Sequence, residues 1–276
     1  MITFPPDLRG EEGVVLRLHR RLEVTCDEAH WVLTPQGREQ GLTGHGEAGD
    51  AGVPIQAFHL RPRDGAWPSD GRVSITYAGR IHHPLVQEEE EAARSFSRSP
   101  GLIDPTGVVL SGSTFWVPAV GERLLTFRLS VTFDEADAAV ADAAAGRASW
   151  DSVSQGTRTR HERTERSNAA TWECAAPMDE VYLIAGRFHE SSRAAGAATA
   201  YAFLREDDPA LAGRYLEATA QYLDMYQRLL GPYPYGKFAL VENFWETGYG
   251  MPSFTLLGPA VIRLPFILHS SYPHEI

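Results

Sequence analysis

With 276 residues, 43% of them hydrophobic, the chain is long enough to bury one large core or two ordinary ones. Its 36 acidic residues outnumber 25 basic ones, and the net charge of −11 argues against the basic face on which nucleic-acid binding depends. Cys26 and Cys174 stand far apart with no C-x-x-C spacing, which points to free buried thiols and excludes a cysteine metal knuckle or a disulfide framework. The first twenty residues hold no apolar stretch of signal-peptide length and no run of eighteen apolar residues occurs, so neither an export signal nor a membrane span is expected; the compartment stays open.

Apolar and polar residues alternate over 73–77 and, without a break, over 125–133, the pattern of half-buried strands. Shorter strands are predicted over 14–18, 108–110, 181–185 and 199–204, separated by Gly, Pro, Asp and Ser clusters. These strands, with no long helix before residue 207, predict a mainly β amino-terminal domain, a sandwich or saddle-shaped sheet, over residues 1–200. Inside it the acidic run 88–91 reads as a solvated segment, 134–146 as an exposed Ala- and Asp-rich loop with a helical turn, and His82-His83 before Pro84 as turn chemistry.

The pattern changes at Asp207-Asp208-Pro209. An aspartate cap and a proline at the first helical position open a helix over 209–230, on which Leu211, Tyr215, Ala218, Tyr222, Tyr226 and Leu229 recur every three or four residues. That aromatic stripe reads as core packing, and Gly231 with Pro232 ends the helix. Residues 201–276 then read as the start of an α/β domain: a strand over 238–241, a glycine-rich loop over 248–253, an apolar strand over 261–264, and a helix opening near Ser270 or Ser271 with Pro273 in its first turn.

That last helix carries His274-Glu275. Histidines at i and i+4 of a helix share one face and can grip one zinc ion, while a glutamate beside the first can take a proton from metal-bound water, as in H-E-x-x-H. His161-Glu162 and His189-Glu190 fail this spacing, because Glu165 and Arg193 stand four residues after those histidines. For His274 the fourth position is 278, beyond Ile276.

The stretch from Tyr233 through Gly248-Tyr249-Gly250-Met251-Pro252-Ser253 and Gly258-Pro259 to His274-Glu275 resembles the zinc metallopeptidases of family M1, the membrane-alanyl-aminopeptidase-like group, and upstream segments fit that family's amino-terminal β-sandwich. The resemblance implies a β-sandwich over 1–200 followed by the start of a thermolysin-like catalytic domain over 201–276. It implies zinc as cofactor, peptides as substrates, His274 as a metal ligand and Glu275 as catalytic base. The other two zinc ligands and an oxyanion-stabilising tyrosine are then expected beyond this chain, so the 276 residues alone are expected to be inactive. Gly250 and Met251 match the family's substrate loop Gly-x-Met-Glu-Asn, whose backbone takes the peptide as an added strand. Pro252 and Ser253 replace its Glu-Asn, so the carboxylate that binds the substrate's free amine is missing, and Glu242 and Glu246 are the residues that could replace it. A peptidase-like protein that binds partners without catalysis is the alternative reading, and a stand-alone β-sandwich binding module is a third.

Overall fold

The computed structural model describes residues 1–10, 12–41, 52–87, 96–134, 148–164 and 167–276. The acidic run 88–91 and nearly all of the Ala- and Asp-rich segment lie outside them. Among the described residues the chain is mainly β, with a mixed sheet and one long helix. An amino-terminal sheet sets β1 (Val14–His19) and β2 (Trp31–Gly41) on either side of β3 (Val53–Pro62). The strand expected over 73–77 is divided: Arg72–Val73 pairs with Ile2–Thr3, and Ile75–Ala78 pairs with Glu23–Cys26. Ser74 lies between, so one apolar alternation serves two partners.

β4 (Gly101–Asp104) and β5 (Gly107–Leu110) begin the large sheet, and β6 (Leu125–Asp134) belongs to a separate three-stranded one. β7 (Ser149–Val153) follows, then β8 (Thr157–Arg163) and β9 (Ser167–Met178), which complete the order β6-β9-β8. The strand expected over 181–185 starts later and runs much further, as β10 (Leu183–Ala195). Its second half loses the apolar alternation yet stays a strand because β11 (Ala198–Leu204) supplies the ladder from His189 to Ala195. β11 continues through the helix α1 (Pro209–Leu230) into β12 (Lys237–Glu242), which lies parallel to it, and β13 (Gly248–Met251) and β14 (Phe254–Leu257) close the order β4-β5-β10-β11-β12-β14-β13, with β7 also paired to β10. Parallel strands need such a crossover, and α1 provides it.

The large sheet is covered on both faces, as a parallel pair requires. Ala198, Ala200 and Ala202 of β11 face Leu211, Ala212 and Tyr215 of α1. Small side chains there let the helix lie close to the sheet. Phe203, Ala239, Val241 and Phe254 point to the other side and pack with Ala170 and Trp172 of β9. The Asp208 side chain accepts from Leu211 N at 2.9 Å, and Pro209 occupies the first helical position, as the cap predicts.

Two expectations after α1 change. The glycine-rich loop is a β-hairpin, β13 with β14, because inter-strand pairs supply the order that Gly-Tyr-Gly-Met lacks in its own pattern. Residues 261–264 are not a strand: Val261–Arg263 is a 3-10 turn whose start is capped by Glu246, which accepts from Ala260 N. The final helix, α2 (Ser271–Glu275), opens where the proline predicts.

His82 and His83 do more than turn the chain. His82 bridges to Leu102, and the His83 ring meets fully buried His19 with Nε2 atoms 3.0 Å apart. His19 Nδ1 accepts from Arg21 N, so its proton sits on Nε2 and is donated to His83. Burial, then His83, Arg21 and Arg20, lower His19 to about 4. The folded chain therefore binds fewer protons than the unfolded one between that value and the ordinary 6.5, and the stability present above pH 6.5 is lost as pH falls toward 4. Urea unfolding at pH 7 and pH 4.5 should differ by roughly 2–3 kcal/mol more in the wild type than in His19→Gln, which keeps an N–H donor and cannot titrate. An equal pH dependence in both proteins would contradict this.

Candidate functional site

The last 40 or so residues bring the sequence-predicted site together from three directions. β12 runs through the middle of the sheet and ends at Glu242; β13 is the edge strand of the large sheet; α2 lies against β13. Gly250 and Glu275 are in contact, and a Cβ on Gly250 would collide with Glu275 Oε2. The glycine thus lets the carboxylate reach the backbone of the edge strand. Burial pushes the Glu275 carboxyl up, while the neighbouring His274 pulls it down. His274 itself is exposed. Met251 pairs with Phe254 across the hairpin and packs against the cluster around Trp172.

Glu242 and Glu246 are engaged elsewhere. Glu242 is 2% exposed; its Oε1 accepts from Arg263 Nη1 at 2.5 Å and its Oε2 from Arg205 N at 2.8 Å. This ion pair ties the end of β12 to the 3-10 turn. Glu246 Oε1 accepts from Ala260 N at 2.8 Å, and its other oxygen is buried against Gly258 without a hydrogen-bond partner. Neither carboxylate bonds to Gly250, Met251, His274 or Glu275 among the described contacts.

The segment between β14 and α2 has no ladder; its 3-10 turns satisfy part of its carbonyl groups, and the aromatic stripe of α1 takes two others there and one inside α2. Tyr215 Oη donates to Ile262 O at 2.8 Å, Tyr222 Oη to Leu268 O at 2.9 Å and Tyr226 Oη to Pro273 O at 2.8 Å. Burial pushes the Tyr215 phenol up to about 12, so it keeps its proton further into alkaline pH than a free tyrosine does. Tyr272 of α2 is fully buried, 2.5 Å from Thr219 Oγ1 and edge-on to Tyr215 and Phe238. Core packing explains the spacing of these tyrosines but not their hydroxyls. The available signal was tyrosine, rather than phenylalanine or leucine, at repeated positions of a core-facing stripe.

For zinc the fit is incomplete. Among the described residues, Asp151, His161 and Glu190 are the one group of three or more His, Cys, Asp or Glu side chains close enough to share an ion, and His274 is not in it. That group is already neutralised, with Arg163 2.8 Å from Asp151 and Arg158 2.5 Å from Glu190. His274 alone does not make the three-ligand set that catalytic zinc requires.

No protein-family profile matches the chain, and no curated protein does. Solved structures match in fold. A two-domain M1 zinc metallopeptidase mutant bound to L-arginine aligns with a TM-score of 0.52 and 16% identity over 95% of this chain and 55% of that one. The same type of mutant bound to L-tryptophan aligns with a TM-score of 0.51 and 16% identity over 95% and 56%. An M1 zinc metallopeptidase mutant from Deinococcus radiodurans gives a TM-score of 0.50 and 15% identity over 92% and 54%. The chain spans just over half the length of these structures. At such identity the likeness is one of fold.

Replacing Tyr215 by Phe leaves the Ile262 carbonyl without its donor, which should cost about 1–3 kcal/mol in urea unfolding. Tyr226→Phe, at a more exposed bond, should cost about 1 kcal/mol or less and should speed amide exchange in α2 before it does so in β12. Unchanged stability in Tyr215→Phe would show that the hydroxyl does not hold the segment.

Proposed function

We propose that these residues are the amino-terminal β-sandwich and the opening of the thermolysin-like catalytic domain of an M1-like zinc metallopeptidase of aminopeptidase type. The observation that carries this reading is the contact between Glu275 and Gly250, which sets a carboxylate beside the edge strand of a mixed sheet, within a fold that resembles M1 zinc metallopeptidases. In this reading β13 takes a peptide as an additional strand through the backbone of Gly250 and Met251, since an edge strand offers unpaired N–H and C=O groups. His274 is one zinc ligand, and the remaining ligands lie outside these 276 residues. Zinc, when bound, would supply a Lewis acid for the attacking water and the scissile carbonyl. Glu275 accepts the water's proton on its carboxylate and returns it to the leaving amine.

Pro252 offers no carboxylate to a substrate amine, and both oxygens of Glu242 are occupied. Recognition of free amino termini is therefore weak in this reading, and the exopeptidase preference is reduced. The same two observations favour a second reading, a peptide-binding protein that does not hydrolyse its ligand.

In the complete protein, Glu275→Gln should keep zinc and lose turnover by about 10²–10⁴, because an amide can hydrogen-bond water but cannot take its proton. His274→Ala should instead lower zinc content, read by metal analysis. Near-normal turnover in Glu275→Gln would remove the assigned role, and peptide binding without turnover in the wild type would select the second reading. On matched peptides, the free amino terminus should be preferred over the acetylated one by less than about a hundredfold in kcat/KM, since the missing amine contact is worth about 1.5–3 kcal/mol. A preference of a thousandfold or more would mean that another acidic group serves as the anchor.

A further inference from the structure

Lys237, the only lysine in the chain, opens β12 and is 1% exposed. Its Nζ donates to Ser253 Oγ at 2.7 Å and to Ser253 O at 3.0 Å. The rings of Trp172 and Phe254 flank it, with centroids 5.3 and 5.0 Å away. No carboxylate among the described residues pairs with this amine. Burial drives it well below the ordinary lysine range; Cys174 opposes the shift and Arg158 adds to it. Two of its N–H groups go to Ser253.

Ser253 stands in an unusual backbone position. Met251 pairs with Phe254, so Pro252 and Ser253 alone make the turn of the hairpin. The proline ring fixes its own φ near about −65°, and Ser253 has φ 72°, the φ signature of a type II turn. Two-residue hairpins favour the mirror-image turns, whose first residue has positive φ, a conformation proline cannot adopt. The turn thus runs against the twist of its own hairpin and puts a serine where glycine is preferred. What holds it comes from outside the hairpin. Besides Lys237, Ala239 N donates to Ser253 O at 3.1 Å and Gly156 N donates to Ser253 Oγ at 3.1 Å.

We propose that Lys237 is a positioning residue of the peptide-binding edge: its buried amine holds Ser253 in the left-handed turn, and that turn sets where β13 presents Gly250 and Met251 to a peptide strand and to Glu275. The link to substrate rests on the peptidase reading above. The link to the turn does not. Pro252 and Ser253, which carry no amine anchor, thus have a different task, turning the edge strand back into β14.

The test separates the two links with Lys237→Met, which keeps an unbranched apolar side chain, and the double variant Lys237→Met/Ser253→Gly, in which glycine adopts the turn unaided. Amide exchange in the 276-residue chain, which needs no substrate, should quicken at least tenfold over Gly248–Met251 in Lys237→Met, with exchange in α1 less affected. In the double variant it should return to within about threefold of wild type. In the complete peptidase, KM for a peptide should rise about tenfold in Lys237→Met, with kcat changed less than threefold, and should recover in the double variant. A lysine that only stabilises the core would lower the melting temperature of both variants alike and leave KM of the folded enzyme unchanged. Unaltered exchange over β13, or a double variant as impaired as the single one, overturns the proposal. If Lys237→Met does not fold, Ser253→Ala, which removes only the Oγ contacts, should shift exchange in the same direction, and its failure to do so is equally decisive. A wild-type protein that hydrolyses no peptide refutes the peptidase reading, and the exchange experiment still decides the role of Lys237 in the turn.

Discussion

The bonds from the tyrosine hydroxyls of α1 to the carbonyls of 262, 268 and 273 are the constraint on which the site depends. Between β14 and α2 the chain runs through two 3-10 turns whose internal bonds leave the carbonyls of Ile262 and Leu268, and that of Pro273 inside α2, to the tyrosines, and a buried carbonyl without a partner costs more than an ordinary hydrogen bond returns. A helix that only packed against this segment would leave those groups unsatisfied. By donating to them, α1 fixes both the path of the segment and the place where α2 begins. Its own place depends on Ala198, Ala200 and Ala202, whose small side chains let it approach β11 closely. Alanines in one strand are thereby connected, through one helix, to the orientation of Glu275.

The other half of the site hangs on the sheet. β12 is buried along its whole length, and its end is tied to the 3-10 turn by Glu242 and Arg263. A buried carboxylate with both oxygens bonded is costly to disturb, which suits a structural tie better than a group that must meet substrate. From this fixed strand the hairpin of β13 and β14 reaches outward to form the edge. Gly250 is the gap there into which Glu275 fits, and in the proposed reading its backbone also pairs with the peptide.

Capping and spacing made α1 legible from end to end, because Asp208, Pro209 and Gly231 act locally and the apolar period needs no knowledge of the partner. The strand over 125–133 was legible for the same reason, its alternation matching one half-buried and one exposed face. The hairpin was not, since glycines carry no side-chain pattern and its order comes from pairing with β14 and from contacts to residues far away in sequence, Gly156 and Lys237. The turn at Val261–Arg263 looks like a strand in the sequence because its apolar run is short, and periodicity cannot separate a short strand from a helical turn. At the candidate site, His274 and Glu275 were visible through a motif, whereas the tyrosine hydroxyls and Lys237 were not, because their partners, backbone carbonyls and the Ser253 hydroxyl, are brought near only by the fold.

The central claim, that α2 brings a zinc ligand and a base to the edge of this sheet, is tested most directly by diffraction at the zinc absorption edge from crystals of the complete protein grown with zinc. The account predicts an anomalous peak about 2.0–2.1 Å from an imidazole nitrogen of His274, with Glu275 beside it and Gly250 facing it from β13. A zinc peak elsewhere, with none at His274, would contradict it.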